Sequence, residues 1–124
     1  EDPDAYRGKI VLWGGVIVRA ENLREGTLIE ILQISLDRRG GLKDRDVSGG
    51  RFLALYPALL DTAIYREGRE VTMAGEIQGK RVRPLGEIEY IYPFLLVKEI
   101  HLWELERPAG EPRIYLGIGV EKGF

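Results

Sequence analysis

The sequence predicts a mainly β fold from the number and the order of its apolar segments. Five segments are rich in β-branched and aromatic residues, and polar or glycine-containing stretches separate them. One short helical segment falls between the third and the fourth strand. This order is typical of a five-stranded OB-like barrel with a short helix at one end, whereas a β-sandwich would normally need about seven strands. The predicted strands are residues 9–20, 27–36, 51–56, 69–78 and 87–105, with the helix at residues 61–66.

The first strand is apolar on both faces, which is typical of a central strand covered on each side. Gly14 and Gly15 in its middle predict a bulge or a sharp bend, which would let one strand curl across two halves of a barrel. Residues 2–8 precede it and predict a short helical turn, because Pro3 suits the first helical position.

The remaining segments are interpreted from alternation and from turn residues. Residues 37–50 form a long loop rich in glycine and charge, and residues 79–86 form a second loop. Pro93 is expected to divide residues 87–105 into two strands or to place that stretch at an edge, since proline cannot donate to a sheet. The fourth strand alternates with period two, and its apolar face carries Val71, Met73 and Ile77.

An internal echo relates residues 6–15 to residues 65–75. Each segment runs from a helical turn through a glycine into a strand, with a second glycine four residues after a valine. We interpret the two segments as equivalent entries into the barrel, with chance similarity as the alternative.

Length and composition indicate one globular domain. The 124 residues are 44% hydrophobic and 31% charged, which excludes a disordered chain. The barrel is expected over residues 1–107, and residues 108–124 form a C-terminal extension, either an edge strand near residues 115–120 or a flexible tail. No run approaches the roughly twenty apolar residues of a spanning helix. The chain begins without Met, which predicts a processed or trimmed product.

Charge and cysteine content exclude several kinds of function. The net charge is −2, and Lys and Arg are interleaved with Asp and Glu, so a nucleic-acid partner is not expected. The chain has no cysteine, which excludes a disulfide framework, a thiolate zinc site and a cysteine nucleophile within it.

The titratable residues do not form a catalytic or metal-binding pattern. His101 has no partner at a useful spacing, and we expect it to pack beside Trp103. Three aspartates lie in the loop of residues 37–50, but basic residues interrupt them and the EF-hand spacing is missing, so a solvated loop is favoured over a calcium site. These aspartates are Asp37, Asp44 and Asp46.

The serines offer no phosphate or acyl-enzyme site either. Ser48-Gly49-Gly50-Arg51 lacks the P-loop spacing and leads into a strand, so we interpret it as a turn. Ser35 has no histidine or lysine arranged around it. The sequence therefore predicts no catalytic residue, no cofactor-binding residue and no metal site.

The last predicted strand holds a cluster of aromatic residues. Tyr90, Tyr92 and Phe94 alternate along it, and OB-folds that bind single strands stack bases on such side chains within a basic groove. Aromatic residues at strand spacing more often form core or cross-strand pairs. We take these three residues as the candidate interaction surface.

A set of short motifs resembles the Slp family of bacterial outer-membrane lipoproteins. The motifs span residues 2–105 in the order of the family and are more specific together than singly. They are Tyr6-Arg7-Gly8-Lys9, Trp13-Gly14-Gly15-Val16-Ile17, Gly26-Thr27-Leu28-Ile29-Glu30-Ile31-Leu32-Gln33, Leu36-Asp37, Ser48-Gly49-Gly50-Arg51-Phe52-Leu53-Ala54, Gly68-Arg69-Glu70-Val71-Thr72, Gly86-Glu87, Tyr90, Tyr92-Pro93 and His101-Leu102-Trp103.

The resemblance implies a starvation- or stress-induced protein at the periplasmic face of the outer membrane, held there by a lipid on an N-terminal cysteine. That cysteine is missing from this sequence, so the anchor is expected to precede the chain. The resemblance brings no enzymatic activity, no cofactor and no catalytic residue.

The leading hypothesis is thus a non-enzymatic lipoprotein domain that acts as a structural or interaction module in envelope stress, with unknown protein partners. The alternative is a soluble OB-fold module that binds nucleic acid or another oligomer. An enzyme is the third and least supported hypothesis.

Overall fold

The chain folds into a closed five-stranded barrel. The computed structural model describes residues 3–43 and 48–105. The strand order around the barrel is β1-β2-β3-β5-β4, with β4 pairing back onto β1, and every pair is antiparallel except β3 with β5. This order confirms the predicted OB-like fold. The strands are β1 (Ile10–Leu23), β2 (Gly26–Ile34), β3 (Ser48–Tyr56), β4 (Glu70–Leu85) and β5 (Ile88–Leu102), preceded by a 3-10 helix at Pro3–Tyr6.

The main core fills the inside of the barrel. Alternate residues of each strand point inward, because successive side chains of a strand lie on opposite faces. The buried inward-facing residues are Ile17, Ile29, Ile31, Phe52, Ala54, Val71, Met73, Ile77, Leu95 and Val97.

Within the described part of the chain, no helix has the length and apolar character needed to cross a membrane.

The glycine pair of β1 allows close contact between strands and does not form the predicted bulge. Gly14 and Gly15 pair in regular register with β2 on one side and with β4 on the other. The irregularity of the β1–β2 ladder lies later, between Ile17 and Arg19. A Cβ on Gly15 would overlap the carbonyl oxygen of Leu32, so only glycine fits between the two ladders.

The helix predicted between β3 and β4 is wrong, because residues 61–66 form only hydrogen-bonded turns. The Asp61 carbonyl accepts hydrogen bonds from the amides of Ile64 and Tyr65, both at 2.9 Å. The Asp61 carboxylate accepts a third, from the amide of Ala63 at 2.9 Å. One turn is too short to repay the cost of helix nucleation, so the segment stops after this turn.

The loop predicted at residues 79–86 is also wrong. The β4 strand continues to Leu85, and β5 runs unbroken through Pro93, which lies opposite Lys80. A bulge lies in the β4–β5 ladder between Ile77 and Gly79, and Gly79 has φ 110°. The bulge bends β4 and β5 at the point where both strands extend beyond the barrel. Pro93 is tolerated because β5 pairs with β3 only from Phe94 onward, which agrees with the predicted edge position.

The internal echo corresponds to an approximate two-fold relation between β1 and β4. Val11 lies opposite Gly75, and Gly15 lies opposite Val71. The valine of each copy therefore faces the glycine of the other across an antiparallel ladder. This register confirms that the two segments are equivalent entries into the barrel.

Some expectations fall outside the described residues. They concern the proposed boundary at residue 107, the extension of residues 108–124 and the edge strand near residues 115–120.

The predicted loop of residues 37–50 is partly structured. A bridge joins Leu36, just before it, to Leu42, and residues 48–50 already belong to β3.

Candidate binding groove on the outer face of β2 and β3

The extended part of β4 and β5 forms a hairpin arm, residues 79–94, that folds over the outer face of β2 and β3. Tyr90, Tyr92 and Phe94 all lie on the side of the arm that faces the barrel, because they alternate along β5. Tyr92 packs with Leu28 and Leu53 in a second buried cluster and is only 2% exposed. Tyr90 and Phe94 are half-buried beside it.

The predicted interaction surface is therefore corrected at Tyr92, whose ring belongs to the packing of the arm. The edge of the Tyr90 ring meets the ring of Tyr92, with the centroids 4.8 Å apart. The sequence predicted which aromatic residues share one face. It did not predict that the face turns toward the barrel, since that depends on the bend at Gly79.

A polar network closes the arm onto the barrel. The Tyr92 hydroxyl donates a hydrogen bond to Oε2 of Glu30 at 3.0 Å, and the Arg51 guanidinium donates to the same oxygen at 2.8 Å. The side chains of Glu30 and Arg51 are 13% and 31% exposed, so the ion pair is largely shielded. Burial raises the pKa of Tyr92, and the Glu30 carboxylate raises it further, because it accepts a hydrogen bond from the protonated hydroxyl and its negative charge disfavours the phenolate.

Tyr90 supplies a second attachment between the arm and β3. Its hydroxyl oxygen accepts a hydrogen bond from the backbone amide of Arg51 at 3.1 Å. The β3–β5 ladder has only three paired positions, beginning at Leu53 opposite Phe94. The tyrosine hydroxyl thus satisfies an amide that lies beyond the end of this ladder, where the two strands diverge.

A groove of about 340 Å³ remains between the arm and the barrel. Leucines of β1, β2 and β3 form its floor, and side chains of the arm form one wall. Its volume lies near the lower end of the range typical of small-molecule sites. A smaller pocket of about 40 Å³ shares three of its lining residues, so the two are adjacent. The groove is lined by Leu23, Glu25, Leu28, Leu53, Leu55, Arg81, Arg83 and Phe94.

Two guanidinium groups line the arm side of the groove. Arg81 lies over the Phe94 ring, with Cζ 4.1 Å from the centroid, and donates a hydrogen bond to the carbonyl of Lys80 at 3.0 Å. Within residues 3–43 and 48–105, neither Arg81 nor Arg83 forms an ion pair with a carboxylate. Glu25 is the acidic residue that lines the same cavity. The wall therefore offers an excess of positive charge beside an apolar floor.

The sequence pattern did not point to the leucines or the arginines of this groove. One signal was present, because β2 and β3 are apolar on both faces, as expected of strands covered on both sides. The covering element was not evident, since residues 79–86 were interpreted as a loop.

His101 and Trp103 have the structural role that the sequence predicted. Their rings meet edge to face with centroids 4.3 Å apart. The Trp103 indole donates a hydrogen bond to Oγ1 of Thr72 at 2.9 Å, and that hydroxyl donates to the carbonyl of Gly40 at 2.6 Å. The chain of contacts ties the loop after β2 to the outer side of β4.

The Asp37 carboxylate is used within its own turn. One of its oxygens accepts hydrogen bonds from the amides of Arg39 and Gly41, at 2.8 and 2.9 Å. These two bonds hold the pKa of Asp37 below its usual value. Asp44 and Asp46 lie outside the described residues, and the described ranges contain no group of three metal-ligating side chains.

The serines have local roles. Ser48 lies at the start of β3, so the turn predicted at residues 48–51 is wrong. The Ser48 hydroxyl accepts a hydrogen bond from the amide of Gly50 at 3.0 Å. The carbonyl of Ser35 accepts one from the amide of Lys43 at 2.9 Å, across the loop after β2.

The chain matches a protein family over most of its length. The model of the outer membrane lipoprotein Slp family matches residues 1–118. The outer membrane protein Slp of Escherichia coli K12 is 29% identical over 103 residues, which cover 83% of this chain and 54% of that protein. The uncharacterized lipoprotein YeaY of the same organism is 27% identical over 128 residues, covering 98% of this chain and 66% of that protein. The chain thus spans about half to two-thirds of these relatives.

Solved structures with similar folds include three single-stranded DNA-binding proteins. The small protein from Streptomyces coelicolor has a TM-score of 0.46 at 14% identity, over 77% of this chain and 94% of that one. The mitochondrial protein of S. cerevisiae has a TM-score of 0.38 at 13% identity, over the same shares. The Plasmodium falciparum protein in complex with single-stranded DNA has a TM-score of 0.37 at 16% identity, over 78% and 94%.

The OB-like assignment rests on the strand order and closure of this barrel, and the family assignment rests on the sequence match. The chain belongs to the outer membrane lipoprotein Slp family, and its OB-like barrel is a domain of an outer-membrane lipoprotein.

Proposed function

We propose that this domain is a non-enzymatic interaction module of a lipoprotein at the periplasmic face of the outer membrane, acting in the envelope's response to stress. The groove between the arm and the barrel is its binding surface. The observation that carries the proposal is the combination of a leucine floor with a wall bearing two arginines that have no acidic partner among the described residues. The stress role and the periplasmic orientation rest on the family alone.

The location and the groove fit together physically. A covalent lipid can hold a folded barrel at a membrane surface, and the family is one of lipoproteins. A groove on the outer face of β2 and β3 also occupies the side on which OB-folds generally bind their ligands.

The test uses the full-length protein in its own cells, with a photo-crosslinking amino acid at Leu55 in the groove or at Arg66 as a matched control. Arg66 is exposed in the connection between β3 and β4 and does not line the groove. We expect acylated protein in the membrane fraction, measured by intact mass, and an envelope component crosslinked through Leu55 but not through Arg66. An unmodified protein in the soluble fraction would contradict the anchor. Equal crosslinking from both positions, or none, would contradict the binding surface.

The nucleic-acid alternative predicts a different result. Base stacking requires exposed aromatic faces, whereas Tyr92 is 2% exposed and Tyr90 is half-buried under the arm. We expect no saturable, salt-dependent binding of a fluorescent oligothymidine, measured by anisotropy at low ionic strength. Saturable binding that weakens in the Tyr90→Ala variant would restore the alternative.

A further inference from the structure

We infer that the groove binds a single-chain anionic amphiphile, an alkyl chain that ends in a carboxylate or phosphate head group. The inference rests on the proposed function, because it names the ligand of the same groove. It is drawn from the cavity, the two arginines and the backbone pairing around them.

The floor of the groove has the chemistry of an alkyl-chain site. Leu28, Leu53 and Leu55 lie on the outer face of paired strands, and Leu23 and Phe94 extend this apolar area. Leu28 and Leu53 are buried, and Leu55 is half-buried. Leu28 and Leu53 are already packed against Tyr92, so an alkyl chain in the groove would cover the accessible parts of Leu23, Leu55 and Phe94. Each Å² of apolar area that the contact removes from water contributes about 25 cal/mol.

The backbone around the groove disfavours a peptide. The floor is the face of a sheet, where Leu28 pairs with Leu55 and Glu30 with Leu53. The arm is paired internally in the same way, with Arg83 opposite Tyr90. A peptide lying on the floor would bury amide and carbonyl groups with few backbone partners, which is costly. An alkyl chain has no such groups to satisfy.

The wall of the groove supplies the site for the head group. Guanidinium groups bind carboxylates and phosphates through paired, charge-assisted hydrogen bonds. Arg81 is held against the Phe94 ring, so its guanidinium is partly ordered before a ligand arrives, and Arg83 is half-buried beside the groove. Glu25 lines the same cavity and opposes an anion, but the two arginines outnumber it.

The experiment titrates the delipidated 124-residue chain with dodecanoate, monododecyl phosphate or uncharged dodecyl maltoside, each below its micelle concentration, by calorimetry. We expect saturable binding of one or both anions and at least about tenfold weaker binding of the maltoside. Arg83→Gln should weaken anion binding about tenfold, as expected when one charge-assisted contact is removed. Leu55→Gln should weaken anion binding by removing a contact with the alkyl chain of the ligand. Arg66→Gln should leave anion binding unchanged. The tighter of the two anions identifies the head group.

Three results would overturn the inference: no binding of either anion, equal binding of the maltoside, or equal effects of Arg83→Gln and Arg66→Gln. Circular dichroism and thermal unfolding of each variant exclude misfolding as the cause. If both anions fail to bind while Leu55 still crosslinks to an envelope component in cells, only the ligand class is wrong. If both experiments fail, the proposed function fails as well.

Discussion

Replacing Gly15 with alanine is expected to cost about 3 kcal/mol of unfolding free energy or more, which is a large share of the stability of a small domain. A Cβ at this position would overlap the Leu32 carbonyl and crowd the Ile31 side chain, and the obstructing carbonyl is backbone that cannot rotate away. The β1–β2 ladder would have to separate in the middle of the barrel. Denaturant unfolding monitored by circular dichroism measures the effect.

Gly49→Ala is the matched control for this prediction. An added Cβ there would meet first the end of the Gln33 side chain, at 3.3 Å, and that side chain can move. We expect a change within about 0.5 kcal/mol. Equal effects of the two substitutions would show that close approach of β1 and β2 does not constrain Gly15.

Replacing Glu30 with alanine is expected to cost about 2 kcal/mol and to loosen the hairpin arm. The substitution leaves the Tyr92 hydroxyl buried without its acceptor and the Arg51 guanidinium without its carboxylate. Because Arg51 is 31% exposed, water compensates part of the loss and keeps it below the cost of a fully buried pair. Denaturant unfolding gives the free energy, and hydrogen exchange of the amides in residues 80–92 reports the arm.

Two variants accompany the Glu30 experiment. Tyr92→Phe removes one hydroxyl but keeps the ion pair of Glu30 with Arg51, so we expect a smaller loss of about 1 kcal/mol. Glu25→Ala removes an exposed carboxylate at the groove and is expected to change stability by less than about 0.5 kcal/mol. If Glu30→Ala resembles Glu25→Ala in stability and in hydrogen exchange, the network does not hold the arm.

The core of the barrel was predictable from local patterns. Val71, Met73 and Ile77 alternate in the sequence, and all three are buried inside the barrel. Alternation is a property of a single strand, so it can be recognised without knowing the neighbours of that strand. The echo between residues 6–15 and 65–75 was also visible in the sequence, and the β1–β4 register then explained it.

The candidate site was only partly predictable. The grouping of Tyr90, Tyr92 and Phe94 on one face followed from their spacing, but the direction of that face did not. Residues 79–86 are rich in glycine and charge, which are loop signals in isolation. Residues 79–85 are held in β4 because β5 supplies a partner at each of these positions, and Gly86 lies in the turn between the two strands.

By itself, the sequence determined the family, the mainly β class, the order of the strands along the chain and the inward face of β4, because these depend on motifs and on local alternation. Only the tertiary structure decided that the hairpin arm folds over β2 and β3 and leaves a groove beside Arg81 and Arg83. The physical reason is that the contact holding the arm joins Glu30 to Tyr92, which are 62 residues apart. No local pattern encodes such a pairing.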